Sequence, residues 1–225
     1  MHRRDLGNVM IDPAVLHANR TREASRGAWY RQRWLWITGL LAVATVLVSV
    51  LVLWDATHRA PGDDSVEAGF ARDMIVHHDQ AVTMALSIRD RTIDPAIKTL
   101  ATDILLTQEN QIGQMLGWLT IWGLPATGSQ PLMAWMGHAA TAPMPGMATP
   151  EELANLERLS GSAADAEFLR LMIQHHRGAI PMAEAALERS GNTQVRTFAR
   201  SIIAAQSADI AAMEDLLRRD EIAKT

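Results

Sequence analysis

The longest apolar run lies near the N-terminus of the chain. Residues 34–54 are 21 consecutive positions without a charge, and as a helix they would span about 31 Å, the thickness of a bilayer core. Tryptophans flank the run, as in an aromatic belt. The pattern predicts one transmembrane helix. A cleaved signal peptide is the alternative, but its apolar region would be shorter and small residues would follow it, whereas this run ends in Trp54 and Asp55.

Further along, apolar positions return every three or four residues, which is typical of one face of a bundle helix. One such seam consists of Met74, His77, Ala81, Met84 and Ile88. A second consists of Ile97, Ala101, Ile104, Gln108, Gln111, Met115 and Trp118. Capping signals at Ser65 or Asp64, at Asp94 with Pro95, and at Thr149 mark helix starts.

The region after the apolar run contains an internal repeat. Residues 70–85 read FARDMIVHHDQAVTMA and residues 168–183 read FLRLMIQHHRGAIPMA, an offset of 98 positions that continues without a gap into the following helix. Each repeat predicts a helical hairpin, and two hairpins form a four-helix bundle. We therefore expect an all-α protein with a four-helix bundle that follows one transmembrane helix.

This pattern divides the chain into segments. We expect an Arg-rich cytoplasmic tail at residues 1–33, mostly disordered but with room for a short juxtamembrane helix. The transmembrane helix follows at 34–54, a linker at 55–63 and the bundle at 64–219. Within the bundle, repeat one covers residues 64–122, a Met-rich connection 123–148, a short helix 149–160 and repeat two 163–219.

The distribution of charge predicts how the chain is oriented in the membrane. Residues 1–33 carry seven arginines against three acids, so their net charge is +4, while the rest of the chain carries −8. Because positive flanks stay on the cytoplasmic side, we expect a single-pass membrane protein with a cytoplasmic N-terminus and an extracytoplasmic bundle. An acidic bundle argues against nucleic acid as a partner.

A histidine pair occupies the middle of the first helix in each repeat. Neighbouring residues on a helix point about 100° apart, and both stripes here are apolar, so both rings of each pair should face inward. Counting outward from the predicted turns places Gln108 level with His77 and Gln206 level with His175. We therefore expect glutamine–histidine hydrogen bonds that fix the imidazole tautomer, as the outer partners of a metal ligand do. Gln111 and Asp209, one turn further on, are equivalent candidates.

These residues predict a metal site between the hairpins. The expected ligands are His77, His78, His175, His176, Met74, Met84, Met172 and Met182. Thioether and imidazole donors without thiolate or clustered carboxylates suit copper, especially Cu(I). In the alternative interpretation the histidines are hydrogen-bonded core residues and the methionines only fill space.

The connection between the repeats offers auxiliary ligands. Met133, Met136, His138, Met144 and Met147 lie in it. Flexible thioethers there would capture Cu(I) and pass it on, or would simply cover the bundle. Both interpretations stay open at this point.

Catalytic signatures are missing from the sequence. The chain has no cysteine, no P-loop, no nucleophile elbow, no H-E-x-x-H and no Glu-x-x-His pair of the kind that di-iron bundles use. The sequence therefore assigns no catalytic residue and no cofactor besides copper, and an enzyme is the less favoured interpretation.

The motif M-I-x-H-H-x-x-A-x-x-M-A, followed by I-x-x-x-Q-x-x-[DEQ]-I-x-x-M, resembles domain-of-unknown-function family 305 (DUF 305). The resemblance covers about residues 64–219. It implies a ferritin-like four-helix fold, a secreted or membrane-anchored location in bacteria and, for some relatives, copper binding and copper tolerance. It carries over to the four histidines and the four neighbouring methionines.

Two main functions remain at this stage. The first is a membrane-anchored protein that sequesters or transfers copper through His and Met ligands. The second is a structural or interaction module, with an unknown protein partner, whose His–Gln pairs only specify packing. A redox enzyme is a third possibility, for which the sequence shows no specific feature.

Overall fold

The computed structural model describes residues 13–58, 60–137 and 143–223, with side chains for residues 29–54, 60–137 and 143–219. Within these ranges every regular element is helical. The α-helices are α1 Pro13–His58, α2 Val66–Arg89, α3 Pro95–Ile121, α4 Pro150–Arg158, α5 Gly161–Arg189 and α6 Thr193–Ala223, and a 3-10 turn covers Ala134–Met136. The predicted all-α class is confirmed.

Helix α1 belongs to a unit of its own, residues 1–59. Its segment Trp29–Trp54 is long and apolar enough to cross a membrane, by length and composition, and both a membrane anchor and a signal sequence fit it. The predicted disorder is wrong for most of residues 13–33, where the helix is much longer than the short juxtamembrane helix we expected, because extending an existing helix costs far less than nucleating a new one. The helix also continues into the predicted linker, up to His58. Residues 1–12 lie outside the described part.

The second unit comprises residues 60–225 and contains two helical hairpins. Helix α2 packs along α3, α5 packs along α6, and the hairpins meet mainly through α2 and α5. Local signals start these helices as predicted. Ser65 accepts a hydrogen bond from the Ala68 amide, and Asp94 accepts one from the Ala96 amide ahead of α3. Pro95 occupies the first turn of α3, where a missing amide proton costs nothing.

The predicted capping box at Thr149 is present at the start of α4. Helix α5 begins at Gly161, directly after Ser160, and therefore two residues before the predicted start of repeat two at residue 163. Gly161 has a φ of +60°, which glycine adopts without strain. Helix α5 runs on to Arg189 with Pro181 inside it.

The core of this unit consists of two clusters of buried side chains. The first contains Met74 and Met182, and the second contains Met84 and Met172. Since the order of the clusters along α2 is the reverse of that along α5, these two helices are antiparallel. The predicted seam of α2 is buried throughout. In α3 the seam ends with buried Leu119 in place of the predicted Trp118.

Candidate metal centre

The antiparallel packing of α2 against α5 brings the two histidine pairs together. All four side chains are fully buried. The rings of His77 and His175 lie 3.9 Å apart, centroid to centroid, at the helix crossing. The ring of His78 lies 6.4 Å from that of His77, and the ring of His176 lies 6.1 Å from that of His175. The four imidazoles therefore form one continuous group, which we call the histidine layer.

Every ring in the histidine layer uses Nε2 for a hydrogen bond to oxygen. His77 donates to the Pro145 carbonyl oxygen at 3.0 Å, and His175 donates to the backbone carbonyl of His77 at 2.8 Å. His78 donates to Gln111 Oε1 at 2.7 Å, and His176 donates to Asp209 Oδ2 at 3.2 Å.

These acceptors fix the imidazole tautomer. A carbonyl or carboxylate oxygen can only accept, so each Nε2 must carry the proton. In a neutral ring the lone pair then resides on Nδ1.

The Nδ1 atoms have the opposite environment. Each is buried and receives no hydrogen bond from any residue that the structure describes. A buried acceptor without a donor costs about 1–3 kcal/mol, so four such atoms in one layer are expensive for a purely structural core. The arrangement leaves four lone pairs directed into the protein interior.

Burial keeps the rings of His77, His78 and His175 neutral. The loss of solvation lowers the pKa of His77 to about 4 and that of His78 to about 3. Burial, reinforced by the neighbouring imidazoles, also lowers the pKa of His175 well below its usual value. Near neutral pH these three imidazoles carry no charge, which is the form that binds metal ions.

The predicted hydrogen bonds of Gln108 to His77 and of Gln206 to His175 are wrong. Both glutamines are buried, but their Oε1 atoms accept no hydrogen bond from the described residues. The rings of His77 and His175 lie against each other between α2 and α5. The rings of His78 and His176 instead point toward α3 and α6, the second helix of each hairpin.

The glutamine and aspartate one turn further on are the actual partners. Gln111 accepts from His78 and Asp209 accepts from His176. The hairpins thus repeat one arrangement with a different acceptor in each. The predicted outer partners Gln111 and Asp209 contact the histidine layer, while Gln108 and Gln206 leave further buried oxygens without a donor.

The four predicted methionine ligands are all buried, but they do not belong to one cluster. Met74 and Met182 lie in the first core cluster, and Met84 and Met172 lie in the second. In each helix the histidine pair comes between its two methionines along the chain. Thioethers are therefore divided between the two sides of the histidine layer.

Most of the connection's methionines cover the bundle. Met133 is 2% exposed and Met144 is 3% exposed, and both belong to the first core cluster. Met136 and Met147 are partly buried against the same cluster. Of the two interpretations left open, these contacts favour the one in which the four methionines cover the bundle, because the connection folds back onto apolar surface. His138 lies outside the described residues.

Two acceptors in the layer were not foreseen, namely the backbone carbonyls of Pro145 and His77. Backbone groups leave no mark in a residue pattern. One indirect signal existed, however, since Gln80 in repeat one corresponds to Gly178 in repeat two at an otherwise well-matched stretch.

The arrangement limits how many imidazoles can bind one metal ion. Within the described residues, no three or more His, Cys, Asp or Glu side chains are grouped so as to hold a metal ion. Any metal bound in the present arrangement would have to use fewer imidazoles and complete its ligand set with other donors, of which thioether sulfur is the one at hand.

The fold and the histidine layer define a helical-bundle protein with a duplicated His-His motif. A family model described as a domain of unknown function (DUF305) matches residues 67–217. The chain therefore belongs to the DUF305 family.

Solved structures support this membership. A DUF305 protein from Streptomyces coelicolor is 46% identical with a TM-score of 0.68, over 71% of this chain and 96% of that one. CopM in a Cu(II)-bound form is 27% identical with a TM-score of 0.53, over 69% of this chain and 97% of that one. CopM in a Cu(I)-bound form is 26% identical with a TM-score of 0.54, over 69% and 96%.

One curated relative is also similar. An uncharacterised protein of Acanthamoeba polyphaga mimivirus is 37% identical over 79 residues, which are 35% of this chain. The match spans about half, 50%, of that relative's own length.

Proposed function

We propose that this protein is a membrane-anchored, extracytoplasmic copper-binding protein that sequesters or transfers Cu(I). The observation that carries the proposal is the histidine layer, in which each Nε2 is held by an oxygen acceptor and each Nδ1 is left without a donor. This is the arrangement of a histidine metal ligand, whose second nitrogen is fixed by an outer partner.

The donor set fits copper better than other metals. Buried, neutral imidazole together with thioether is a soft combination, which favours Cu(I) over Mg, Ca or Mn. Zinc prefers four imidazole, thiolate or carboxylate ligands, and no such group of three or more occurs in the described residues. The chain also has no cysteine. Each copper ion would be bound through Nδ1 of at most two of the four histidines His77, His78, His175 and His176, with Met74, Met84, Met172 and Met182 as the candidate thioether ligands.

The relatives support the same class of ligand. CopM, of similar fold, has been crystallised with Cu(II) and with Cu(I). For the present chain, copper is the cargo and no redox step is needed. The Arg-rich N-terminal flank of Trp29–Trp54 supports an anchored protein in the bacterial cell membrane, with a cytoplasmic N-terminus and the bundle outside.

Metal retention tests the proposal. The full chain in detergent micelles would be mixed separately with Cu(I), Cu(II) and Zn(II), dialysed, and analysed for bound metal. The variant carries Gln at His77, His78, His175 and His176, because glutamine keeps an N–H donor and removes the Nδ1 lone pair. The chain supplies a control, in which His2, His17 and His58 are changed to Gln instead.

We expect the unchanged chain and the control to retain about one or more Cu(I) ions per chain and little Zn(II). The variant should lose that copper while its circular dichroism stays helical. Equal retention by the variant and the control would overturn the assignment of the ligands, and no retention by any of them would overturn the function.

A structural or interaction module is the second candidate. It is favoured by one observation, namely that all four Nε2 atoms already have partners within the protein. If it is correct, the unchanged chain will retain no copper and the His-to-Gln variant will differ from it only in stability.

A further inference from the structure

One segment of the connection crosses the histidine layer, and we call residues 144–148 the strap. The Pro145 carbonyl oxygen accepts the hydrogen bond of His77 Nε2 at 3.0 Å. Met144 and Ala148, at its two ends, are 3% and 7% exposed. The strap is therefore packed on the bundle at both ends and touches a histidine in between.

On the α5 side, the strap fits only because two glycines meet. A Cβ at Gly178 would lie 2.0 Å from the Pro145 carbonyl oxygen, and a Cβ at Gly146 would lie 2.5 Å from the Gln174 carbonyl oxygen. No side chain tolerates such distances from backbone. Gly146 has a φ of +78° as well, so at this position glycine is required both for space and for conformation.

On the α2 side, Gln80 holds the strap. Its Nε2 donates to the Ala148 carbonyl oxygen at 2.9 Å, and its Oε1 accepts from the Ala148 amide at 2.7 Å. A side-chain amide that binds both groups of one residue fixes the position of that backbone.

The repeat shows what the strap replaces. Gln80 and Gly178 are equivalent positions, 98 residues apart. His175 Nε2 donates to the His77 carbonyl, so exact symmetry would have His77 Nε2 donate to the His175 carbonyl. Instead His77 donates to Pro145, and a Cβ at Gly146 would lie 3.0 Å from the His175 carbonyl oxygen. The strap thus occupies the place of the symmetric contact.

We propose that Gln80 is a positioning residue for His77, acting through the strap. By holding Ala148, it keeps the Pro145 carbonyl on His77 Nε2, and this hydrogen bond leaves the Nδ1 lone pair of His77 free for a ligand. Gly178 supports the same hydrogen bond, because its missing side chain leaves room for the strap. The tautomer of His77 follows from the fold alone, whereas its consequence for copper rests on the proposed function.

Two variants displace the strap by independent means. Gln80→Ala removes both hydrogen bonds to Ala148, and its control is Gln114→Ala, which removes only an exposed hydrogen bond to Asn110 within α3. Gly178→Ala pushes on Pro145, and its control is Gly117→Ala in α3, where a Cβ meets nothing within 4 Å. Both glycine variants gain the same helix propensity, so only the collision differs.

The first readout needs no metal. In the full chain with ¹⁵N-labelled histidine, NMR reports which ring nitrogen of each residue carries the proton. We expect His77 to change from pure Nε2–H to a mixture of tautomers in Gln80→Ala and Gly178→Ala, with His176 unchanged and both controls like the unchanged chain. Unaltered His77 nitrogen shifts in a folded Gln80→Ala variant, or equal changes in all four histidines, would overturn the proposal.

The second readout is Cu(I) affinity by competition with a chelator. We expect Gln80→Ala to weaken binding about tenfold, the lower end of the effect of removing an outer partner of a metal ligand, and Gln114→Ala to leave it unchanged. If the unchanged chain binds no copper, the proposed function fails while the tautomer measurement still decides the role of Gln80. A tautomer change with unaltered affinity would overturn the role of Gln80 in metal binding.

Discussion

The two repeats carry the same histidine pair but support it differently. In repeat one the outer histidine, His78, donates to the neutral amide of Gln111. In repeat two its equivalent, His176, donates to the carboxylate of Asp209. A carboxylate partner makes an imidazole more basic and a stronger ligand. The two halves of the histidine layer are therefore unequal, although the sequence motif is duplicated.

Burial explains which repeat carries the carboxylate. Asp209 keeps 29% of its side-chain surface exposed, so water still solvates its charge. Gln111 is only 7% exposed, and an unpaired charge there would be costly. The inner histidines differ as well, since His77 donates to the strap and His175 to α2. The duplicated motif brings the four histidines together, and the local environment of each histidine determines its hydrogen-bond acceptor.

The largest expected effect is a loss of folding stability in acid, caused by the two buried histidines of repeat one. The pKa of His77 is lowered to about 4 and that of His78 to about 3, mainly by burial, while in the unfolded chain each is near its ordinary 6.5. The unfolded state therefore binds more protons below pH 6.5. Stability should fall as the pH drops from about 6.5 toward 4, by about 1.4 kcal/mol per pH unit for each histidine.

Denaturant unfolding of the metal-free chain at pH 7, 6 and 5 measures this slope above the range where most carboxylates titrate. A His78→Gln variant is the matched control, because it removes one titrating group and keeps an N–H donor toward Gln111. Its slope should be smaller by the contribution of one histidine. A stability that stays constant between pH 7 and pH 5 would contradict the buried, neutral layer.

Changes to the two acceptors, Gln111 and Asp209, should have the next largest effect on folding stability. Gln111→Glu gives repeat one the carboxylate of repeat two, but at a buried position, and we expect it to destabilise the folded chain by about 1–3 kcal/mol at pH 7. Asp209→Asn gives repeat two a neutral acceptor that can still accept from His176, and its cost should be well under half of that. Thermal or denaturant unfolding of the two variants provides the comparison.

Copper affinity should distinguish the same two variants in the opposite order, with Asp209→Asn now the more strongly affected. Asp209→Asn removes the carboxylate that strengthens His176 as a ligand, so Cu(I) binding should weaken about tenfold. Equal costs of Gln111→Glu and Asp209→Asn, together with unchanged copper binding, would mean that the repeats are equivalent in spite of their different acceptors.

The smallest effect on stability concerns the methionines on both sides of the layer. A change of Met74, Met84, Met172 and Met182 to Leu conserves volume, so each should cost less than about 1.5 kcal/mol, while Cu(I) affinity should fall because thioether sulfur is lost. Met115→Leu with Met213→Leu is the control, since both residues are fully buried in the same two clusters. Similar copper binding in both sets would exclude the thioethers as ligands.

Local signals made much of the fold predictable. The caps at Ser65, Asp94 and Thr149 lie within a few residues of the backbone groups that they bind, and the repeat with its three-to-four spacing defined both hairpins. The burial of all four histidines followed from the same spacing. The length of the helix at residues 13–33 was missed, because a polar, Arg-rich composition gives no sign of how far the neighbouring apolar helix continues into it.

The partners of the histidines were harder to predict. Counting outward from a turn gives the level along a helix but not the direction of a ring, and a difference of one position on α2 rotates it by about 100°. That rotation assigns Gln111 to His78 and leaves Gln108 without His77. The strap was out of reach, because its contacts with His77 and Gln80 are made by backbone atoms far away in the sequence.

The most direct test of the central claim follows all eight ring nitrogens of the histidine layer during a titration with Cu(I). We expect that at about one equivalent the Nδ1 resonances of histidines in the layer shift, while every Nε2 keeps its proton and its hydrogen bond. Copper that is retained without any shift of the Nδ1 resonances, or that shifts Nε2 and removes its proton, would contradict copper binding through Nδ1.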